Sequence, residues 1–316
     1  MNKNKIVLAG GSGFLGGELA RHFATLGWEI VVLTRTPAVR PDRVREVAWN
    51  AKSLGNWASE LDGAEVVVNL TGRSVDCRYN ARNRREIMES RVNSTRVIGT
   101  AIAQCQTPPR VWLNASTATV YAHTFGPPHD ESSQDMDSAT DAKDAFSVEV
   151  AQAWECALND AATPQTRKVA LRTSMVLGLG RNSVFPVLRR LTKLGLGGRQ
   201  GSGKQFVSWL HIEDFCRAIE WIIAHEELNG AVNICAPHPL PNAEMMSTFC
   251  NVCSMPVGLP ATEWMLEIGA FFLRTETELI LKSRRVVPGK LLTSGFEFHF
   301  PKFHDALVAL EKKISQ

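Results

Sequence analysis

The stretch KIVLAGGSGFLGGELA, residues 5–20, decides how this chain is read. Lys5 to Gly10 has the length and apolar run of a buried strand, and GGELARHFATLG (16–27) has helical periodicity with Gly27 as a C-cap. Glycines crowd the junction. Gly10, Gly13 and Gly16 give G-x-x-G-x-x-G, and Gly11, Gly13 and Gly16 also satisfy G-x-G-x-x-G. Such glycines turn the chain tightly and let a pyrophosphate reach backbone N–H groups at the positive end of a helix. A strand before the glycines and a helix after them is the context that a dinucleotide-binding fingerprint requires.

Outward from this junction, short apolar strands alternate with helical patterns. EIVVLTR (29–35), REVAWN (45–50), AEVVVNLTG (64–72), RVWLNASTATVY (110–121) and RKVALRTSMVLG (167–178) read as strands, and residues 80–104 and 144–158 read as helices. The alternation predicts an α/β fold, a Rossmann-type doubly wound parallel sheet of at least six strands. The loop 122–142 is polar, acidic and carries prolines. After Gly178 the texture changes to a helix, a glycine-rich basic loop, an aromatic strand and a further helix. The expected division is a dinucleotide-binding domain at 1–177 and, at 178–316, mainly a smaller C-terminal substrate lobe, with some segments returning to the first domain.

Strand two closes with Thr34 and Arg35. An acid there would accept from a ribose 2′-OH, whereas a guanidinium suits a 2′-phosphate, so NADP is favoured over NAD. The plainer alternative is a surface arginine after a strand. Gly72, at the edge of strand four, reads either as a place where backbone runs beside the adenosine or as a simple turn.

Composition narrows the partners. Lys+Arg 35 against Asp+Glu 32 gives a net charge of +3, too weak and mixed for a nucleic-acid or membrane field, so a small-molecule substrate is expected. ARNRRE (81–86) reads as a solvated helix face. Seven cysteines without framework spacing indicate a reducing compartment. Cys250 and Cys253 form a lone C-x-x-C read as two core residues, with no set of metal ligands around them. MNKNKIVLAGG enters a strand without an apolar leader, and no apolar window approaches a membrane span, so the expected localisation is cytoplasmic. Nothing in the sequence sets the oligomeric state.

The order of motifs resembles the extended short-chain dehydrogenase/reductase superfamily and, more narrowly, its atypical subgroup of epimerase family proteins. AGGSGFLG, VVLTRTP, VVVNLTG, ESRVNSTR, NASTATVY, LRTSMVLG, LGLGGRQGSGKQFVSWLHIEDF and the tail RRVVPGKLLTSGFEFHFP carry the resemblance across essentially the whole chain. It implies cofactor contacts at Gly10, Gly13, Phe14, Leu15, Thr34, Arg35, Leu70, Thr71, Glu86, Arg91 and near Val176, with Gly16 completing the fingerprint. For Glu86 and Arg91 the alternative is a surface ion pair.

Typical superfamily members use a Tyr as proton donor and acceptor, with a Lys four residues later on the same helix face. In DAFSVEVAQAWE (144–155) those places hold Phe146 and Val150. The chain has two tyrosines, and neither starts Y-x-x-x-K: Tyr79 is followed four residues on by Asn83 and Tyr121 by Phe125. Ser116 and Thr117 keep a hydroxyl at the end of strand five. Tyr121, His123, Lys143 and Glu149 are the ionisable candidates nearby, and Trp154 and Glu155 are expected to pack and cap. HIEDF (211–215) reads as a helix start favouring Asp214, with His211 either part of it or facing the cleft. Arg199 and Lys204, in GGRQGSGKQF (197–206), form either a clamp for an anionic or sugar-like ligand or a mobile connection. The expected function is an NADP(H)-binding oxidoreductase or epimerase for a small polar substrate, sugar-like compounds included. The rival is a non-catalytic NADP(H)-binding sensor or partner-binding module.

Overall fold

In the computed structural model, the described residues are 4–40, 42, 44–133, 142–180, 182–266 and 281–315. The end of the acidic loop (134–141), the side chain of Lys143 and the tail residues 275–280 lie outside them. Seven strands form one parallel sheet: β1 (Lys5–Ala9), β2 (Glu29–Thr34), β3 (Arg45–Ala48), β4 (Val66–Asn69), β5 (Val111–Thr117), β6 (Arg167–Thr173) and a seventh, Gly230–Ile234. Across the sheet the order is Gly230–Ile234, β6, β5, β4, β1, β2, β3. The strand order therefore reverses between β1 and β4. In doubly wound sheets the crevice beyond the carboxyl ends at that reversal is where ligands bind.

Both faces of the sheet are covered, which is why its strands are apolar without alternation. Ile6 and Leu8 pack with Leu19 and Phe23 of helix α1 (Phe14–Thr25) and with Ile219 and Ile222 of the helix Ile212–Ala224. Val7 and Ala9 point the other way. They join Val97, Ile98 and Ile102 of helix α2 (Ala81–Ala103) and Trp112 of β5. Asn80 starts α2 by accepting from Asn83 N–H at 2.9 Å. Helix α3 (Ala142–Asn159) follows β5 and lies beside α2.

The run RKVALRTSMVLG does not continue as one strand. Ser174 donates its N–H to Ile234 O, and Met175 turns to Ser208 O. A second segment, β7 (Met175–Leu177), leaves the sheet and pairs in parallel with Trp209–His211. The seventh strand is one of the segments expected to return to the first domain, although the sequence does not mark Gly230–Ile234 as that segment. It returns from the second half of the chain to pair with β6, Ala231 opposite Ala170 and Asn233 opposite Arg172.

The tail is fixed by a buried acid. Asp214 is fully buried in the first turn of the helix Ile212–Ala224 and accepts from the N–H groups of His299 and Phe300, each at 2.8 Å, and from Arg217 at 3.1 Å. Burial holds its carboxyl above the usual range despite these bonds. No helix among the described residues is long and apolar enough to cross a membrane.

Candidate cofactor and substrate site

The glycine turn lies at the strand-order reversal. Gly10 has φ +72°, which disfavours other residues, and a side chain there would press on Thr71 at the end of β4. A Cβ on Gly16 would overlap the backbone of Gly11, so this glycine lets α1 close on the turn. Gly13 differs from both. It is exposed and starts α1 with no side-chain cap, and a Cβ there would meet only Gly10 O at 3.6 Å. No acid stands in the first turn of α1 to oppose an anion. Thr71 Oγ1 faces Gly10, buried and without a hydrogen-bond partner among the described residues.

This cradle fits a dinucleotide. It offers a positive helix end, glycines where phosphates would approach, and one buried hydroxyl awaiting a polar group. Thr34 is buried at the end of β2, with its hydroxyl 3.4 Å from Ser12 Oγ, and Arg35 is exposed with no ion pair among the described residues. Phe14, Leu15, Leu70 and Val176 are partly buried against the core. The Phe14 ring is seated on Gly178 and Gly180, where any side chain would collide with it.

Glu86 and Arg91, one and a half turns apart on α2, have separate surroundings. Glu86 forms ion pairs with Arg73 and Arg82, the surface alternative. Arg91 lies against Gly72 and donates to the carbonyls of Arg73 at 3.0 Å and Ile87 at 3.1 Å, with its guanidinium 5.1 Å from the Trp154 ring. Burial pushes its pKa down to about 10.

The place of the absent Tyr and Lys is filled. Phe146 and Val150 form a buried cluster with Ile87, and Val75, Cys77, Tyr79 and Met88 pack against it. The Arg84 guanidinium stands 4.9 Å over the Phe146 ring.

Ser116 and Thr117, adjacent on β5, point to opposite sides. Ser116 is buried and donates to Glu155 Oε1 at 2.6 Å. Glu155 receives a two-pronged bond from Arg172, Nε to Oε1 at 2.9 Å and Nη2 to Oε2 at 2.8 Å. Arg172 also donates to the Tyr121 phenol at 2.8 Å, and that phenol donates to Asn233 Oδ1 at 2.9 Å. Asn233 N–H reaches Glu131 at 2.8 Å, completing a chain from β5 to the seventh strand and the loop after β5. Tyr121 is fully buried, and burial raises its pKa. Thr117 is half-exposed, with its hydroxyl 2.8 Å from Thr119 Oγ1. His123 accepts from Ser283 N–H through Nδ1, and Glu149 is exposed on α3. Glu155 was expected to cap or pack. It is instead the hub of a polar network.

Beneath β4 and β5 lies a second network. Asn69 Nδ2 donates to Asn114 Oδ1 at 2.8 Å, Thr95 bonds Asn114, and the Trp154 indole donates to Thr95. Asn69 Oδ1 accepts from Thr71 N–H at 3.1 Å, holding the turn that faces Gly10. Polar letters inside otherwise apolar strands, NLTG, WLNAST and ALRTS, were the available signal for both networks.

Arg199 and Lys204 are exposed on their loop. That loop is pinned rather than loose: Gln200 N–H donates to Asn242 Oδ1 at 2.8 Å, and Gln205 Nε2 to Gln200 O at 2.8 Å. His211 turns into the protein instead of the cleft, 0 % exposed, with its ring against Phe300 and Nδ1 accepting from Glu213 N–H. It is the N-cap of its helix.

Burial, with a contribution from Lys313, pushes His211 from 6.5 down to about 4. The neutral ring is favoured only in the folded state, so this stabilisation is complete above pH 6.5 and is lost as pH falls through about 4. Within that window the group is expected to give a slope of up to ~1.4 kcal/mol per pH unit in urea-unfolding free energy. His211→Asn keeps an N-cap acceptor and should flatten the slope. An unchanged slope in that variant would refute the assignment.

Two family models match this chain. One, described as the NAD dependent epimerase/dehydratase family, matches residues 6–235, and a domain of unknown function (DUF1731) matches residues 261–310. The chain belongs to the NAD-dependent epimerase/dehydratase family. It is 30% identical over 309 residues to the bovine epimerase family protein SDR39U1, covering 96% of this chain and 98% of that one. It is 29% identical over 314 residues to the Bacillus subtilis epimerase family protein YfhF, covering 96% and 97%. Among solved structures, human epimerase family protein SDR39U1 (isoform 2) with NADPH superposes with a TM-score of 0.84 at 27% identity, covering 98% of this chain and 99% of that one.

Proposed function

We propose that this protein binds NADP(H) and acts as an oxidoreductase or epimerase-like enzyme on a small polar substrate, sugar-like compounds included. The observation that carries the reading is the glycine cradle at the strand-order reversal, with an acid-free helix end and the exposed Arg35 beside it. The human relative whose structure contains NADPH supports the same choice of cofactor. When bound, the dinucleotide supplies or accepts a hydride. The chain's own residues then bind and orient. Gly13 leaves room for the phosphates in the turn that Gly10 and Gly16 shape, Arg35 takes the 2′-phosphate, and Thr71 offers its hydroxyl. Thr117, half-exposed at the end of β5, orients the substrate oxygen, while Ser116 is engaged by Glu155.

Fluorescence titration tests the reading. NADPH is expected to bind more tightly than NADH, and Arg35→Ala should weaken NADPH by roughly 10–100-fold, the worth of a charged hydrogen bond, while leaving NADH unchanged. Equal affinities for the two cofactors in the unmodified protein would remove the NADP assignment.

The packed cluster around Phe146 and Val150 favours a second reading, a non-catalytic NADP(H)-binding sensor or partner-binding module. The two separate on turnover. NADPH that stays reduced across a broad panel of aldehydes and ketones favours the sensor.

A further inference from the structure

The loop that follows β3 is held in an unusual shape. Ala51 has φ +60°, one of two positive values outside glycine among the described residues. An alanine there is strained, and such strain persists only where the surroundings impose it, most often at ligand sites and switches. Here Asn50 imposes it. Its Oδ1 accepts from the N–H groups of Lys52 at 2.9 Å and Ser53 at 3.0 Å, and its Nδ2 donates to Ser53 Oγ at 2.7 Å. The indole of Trp57, buried against Trp49, donates to Ser53 O at 3.1 Å.

The bent loop presents Lys52, Ser53 and Leu54 to one face of α2, and a cavity of about 320 Å³ lies between them. Asn93, Arg96, Val97 and Thr100 form the opposite wall, at the i, i+3, i+4, i+7 spacing of a single helix face. Lys52 and Arg96 come from different elements, and neither has an ion pair among the described residues. Arg40 and Arg45 nearby differ: they are spent on Asp42, Glu46 and Glu60. No carboxylate is among the described residues that line the cavity. Asn93 is half-buried, and its amide has no hydrogen-bond partner among the described residues. Ser53 Oγ, already an acceptor from Asn50, keeps its proton to donate. Leu54 and Val97 add an apolar wall. Two cations, an amide and a hydroxyl proton around one cavity call for oxygen acceptors that carry negative charge.

The cavity is separate from the cofactor cradle. Its lining takes no residue from the glycine turn, the end of β2 or the turn after β4. Arg91, which lies against Gly72, projects from the other side of α2. Asn93, Arg96 and Thr100 follow it by about 200°, 140° and 180° round the helix.

We propose that this groove binds a small phosphate ester, with its phosphate held by Lys52 and Arg96 and its organic part resting on Leu54 and Val97. The site is independent of hydride chemistry and stands under either reading of turnover.

Isothermal titration of the full chain with glucose 6-phosphate provides the test, at low ionic strength, where exposed charges are least screened. It is run with and without saturating NADPH, which fills the anion sites of the cradle. Saturable binding at a single site is expected in both, at least about threefold tighter than inorganic phosphate, with glucose giving none. Lys52→Met and Arg96→Met should each weaken it by about 10-fold, the worth of one charged hydrogen bond at an exposed position, and Arg96→Lys should keep most of it. Arg190→Met removes an exposed cation elsewhere and should change nothing. A thermal melt checks that each variant is folded. NADPH affinity should be the same in Arg96→Met as in the unmodified protein, so failure here is distinguishable from failure of the cofactor reading. Four results each overturn the proposal: no saturable binding, affinity no better than that of inorganic phosphate, unchanged affinity in the Lys52→Met, Arg96→Met double variant, or equal losses in Arg190→Met and Arg96→Met. Displacement of the sugar phosphate by NADPH would place it in the cradle and overturn the proposal as well.

Discussion

Replacing Glu155 with alanine is expected to lower the stability of the fold by about 3–5 kcal/mol, the usual cost of leaving one member of a buried ion pair alone. Glu155 and Arg172 have side chains only 14% and 6% exposed, and the guanidinium meets the carboxylate with two parallel bonds. Burial works against the charge on Arg172, and the carboxylate more than offsets it, raising its pKa. Without Glu155 that charge keeps, among the described residues, the Tyr121 phenol as its hydrogen-bond partner, and Ser116 loses its acceptor. Urea unfolding at neutral pH measures the loss. Glu155→Met with Arg172→Met should recover much of it, because apolar residues of similar volume often replace a buried pair at little cost. A loss below about 1 kcal/mol in the single variant would show that water reaches the pair and screens it.

The parts of this fold that were readable share a property: their signal is local. VVVN and KIVLA are apolar on both faces because helices cover both sides of the sheet, and the glycine spacing is a demand made within one turn of chain. The seventh strand, Gly230–Ile234, was harder. It is five residues long, begins with glycine, has a buried asparagine in it, and follows a stretch of different texture. The Ser174 break was hidden because the backbone bond that creates it comes from Ile234, sixty residues later.

Side-chain networks were hidden for the same reason. Ser116, Glu155, Arg172, Tyr121, Asn233 and Glu131 come from four elements and a loop, and no spacing rule joins them before the topology is known. Tyr121 is a candidate by its place after strand five, yet its phenol is committed to Arg172 and Asn233. The Tyr79 ring, from the loop before α2, lies against Phe146 of α3, a contact that no spacing rule shows.

Gly13→Val is expected to fold and to lose NADPH affinity by at least about 100-fold. At Gly13 the backbone has φ −79° and ψ 179°, which any residue adopts, and a Cβ meets only Gly10 O at 3.6 Å. The structural cost is confined to a poorer N-cap, about 1 kcal/mol. The branched side chain instead occupies the exposed space at the end of α1, where a pyrophosphate would accept backbone hydrogen bonds. Two charge-assisted bonds, each worth about 1.5–3 kcal/mol, convert at 1.4 kcal/mol per tenfold into the stated loss. Energy transfer from the protein's eight tryptophans to NADPH gives the affinity, and a thermal melt checks the fold. Gly16→Ala is the contrasting variant, because its methyl would overlap Gly11 backbone and disturb folding itself. NADPH affinity within about threefold of the unmodified protein in a folded Gly13→Val would mean that the turn serves only to join β1 to α1. A loss confined to binding means that the same glycine-rich turn has two separable duties: Gly10 and Gly16 shape it, and Gly13 leaves it open.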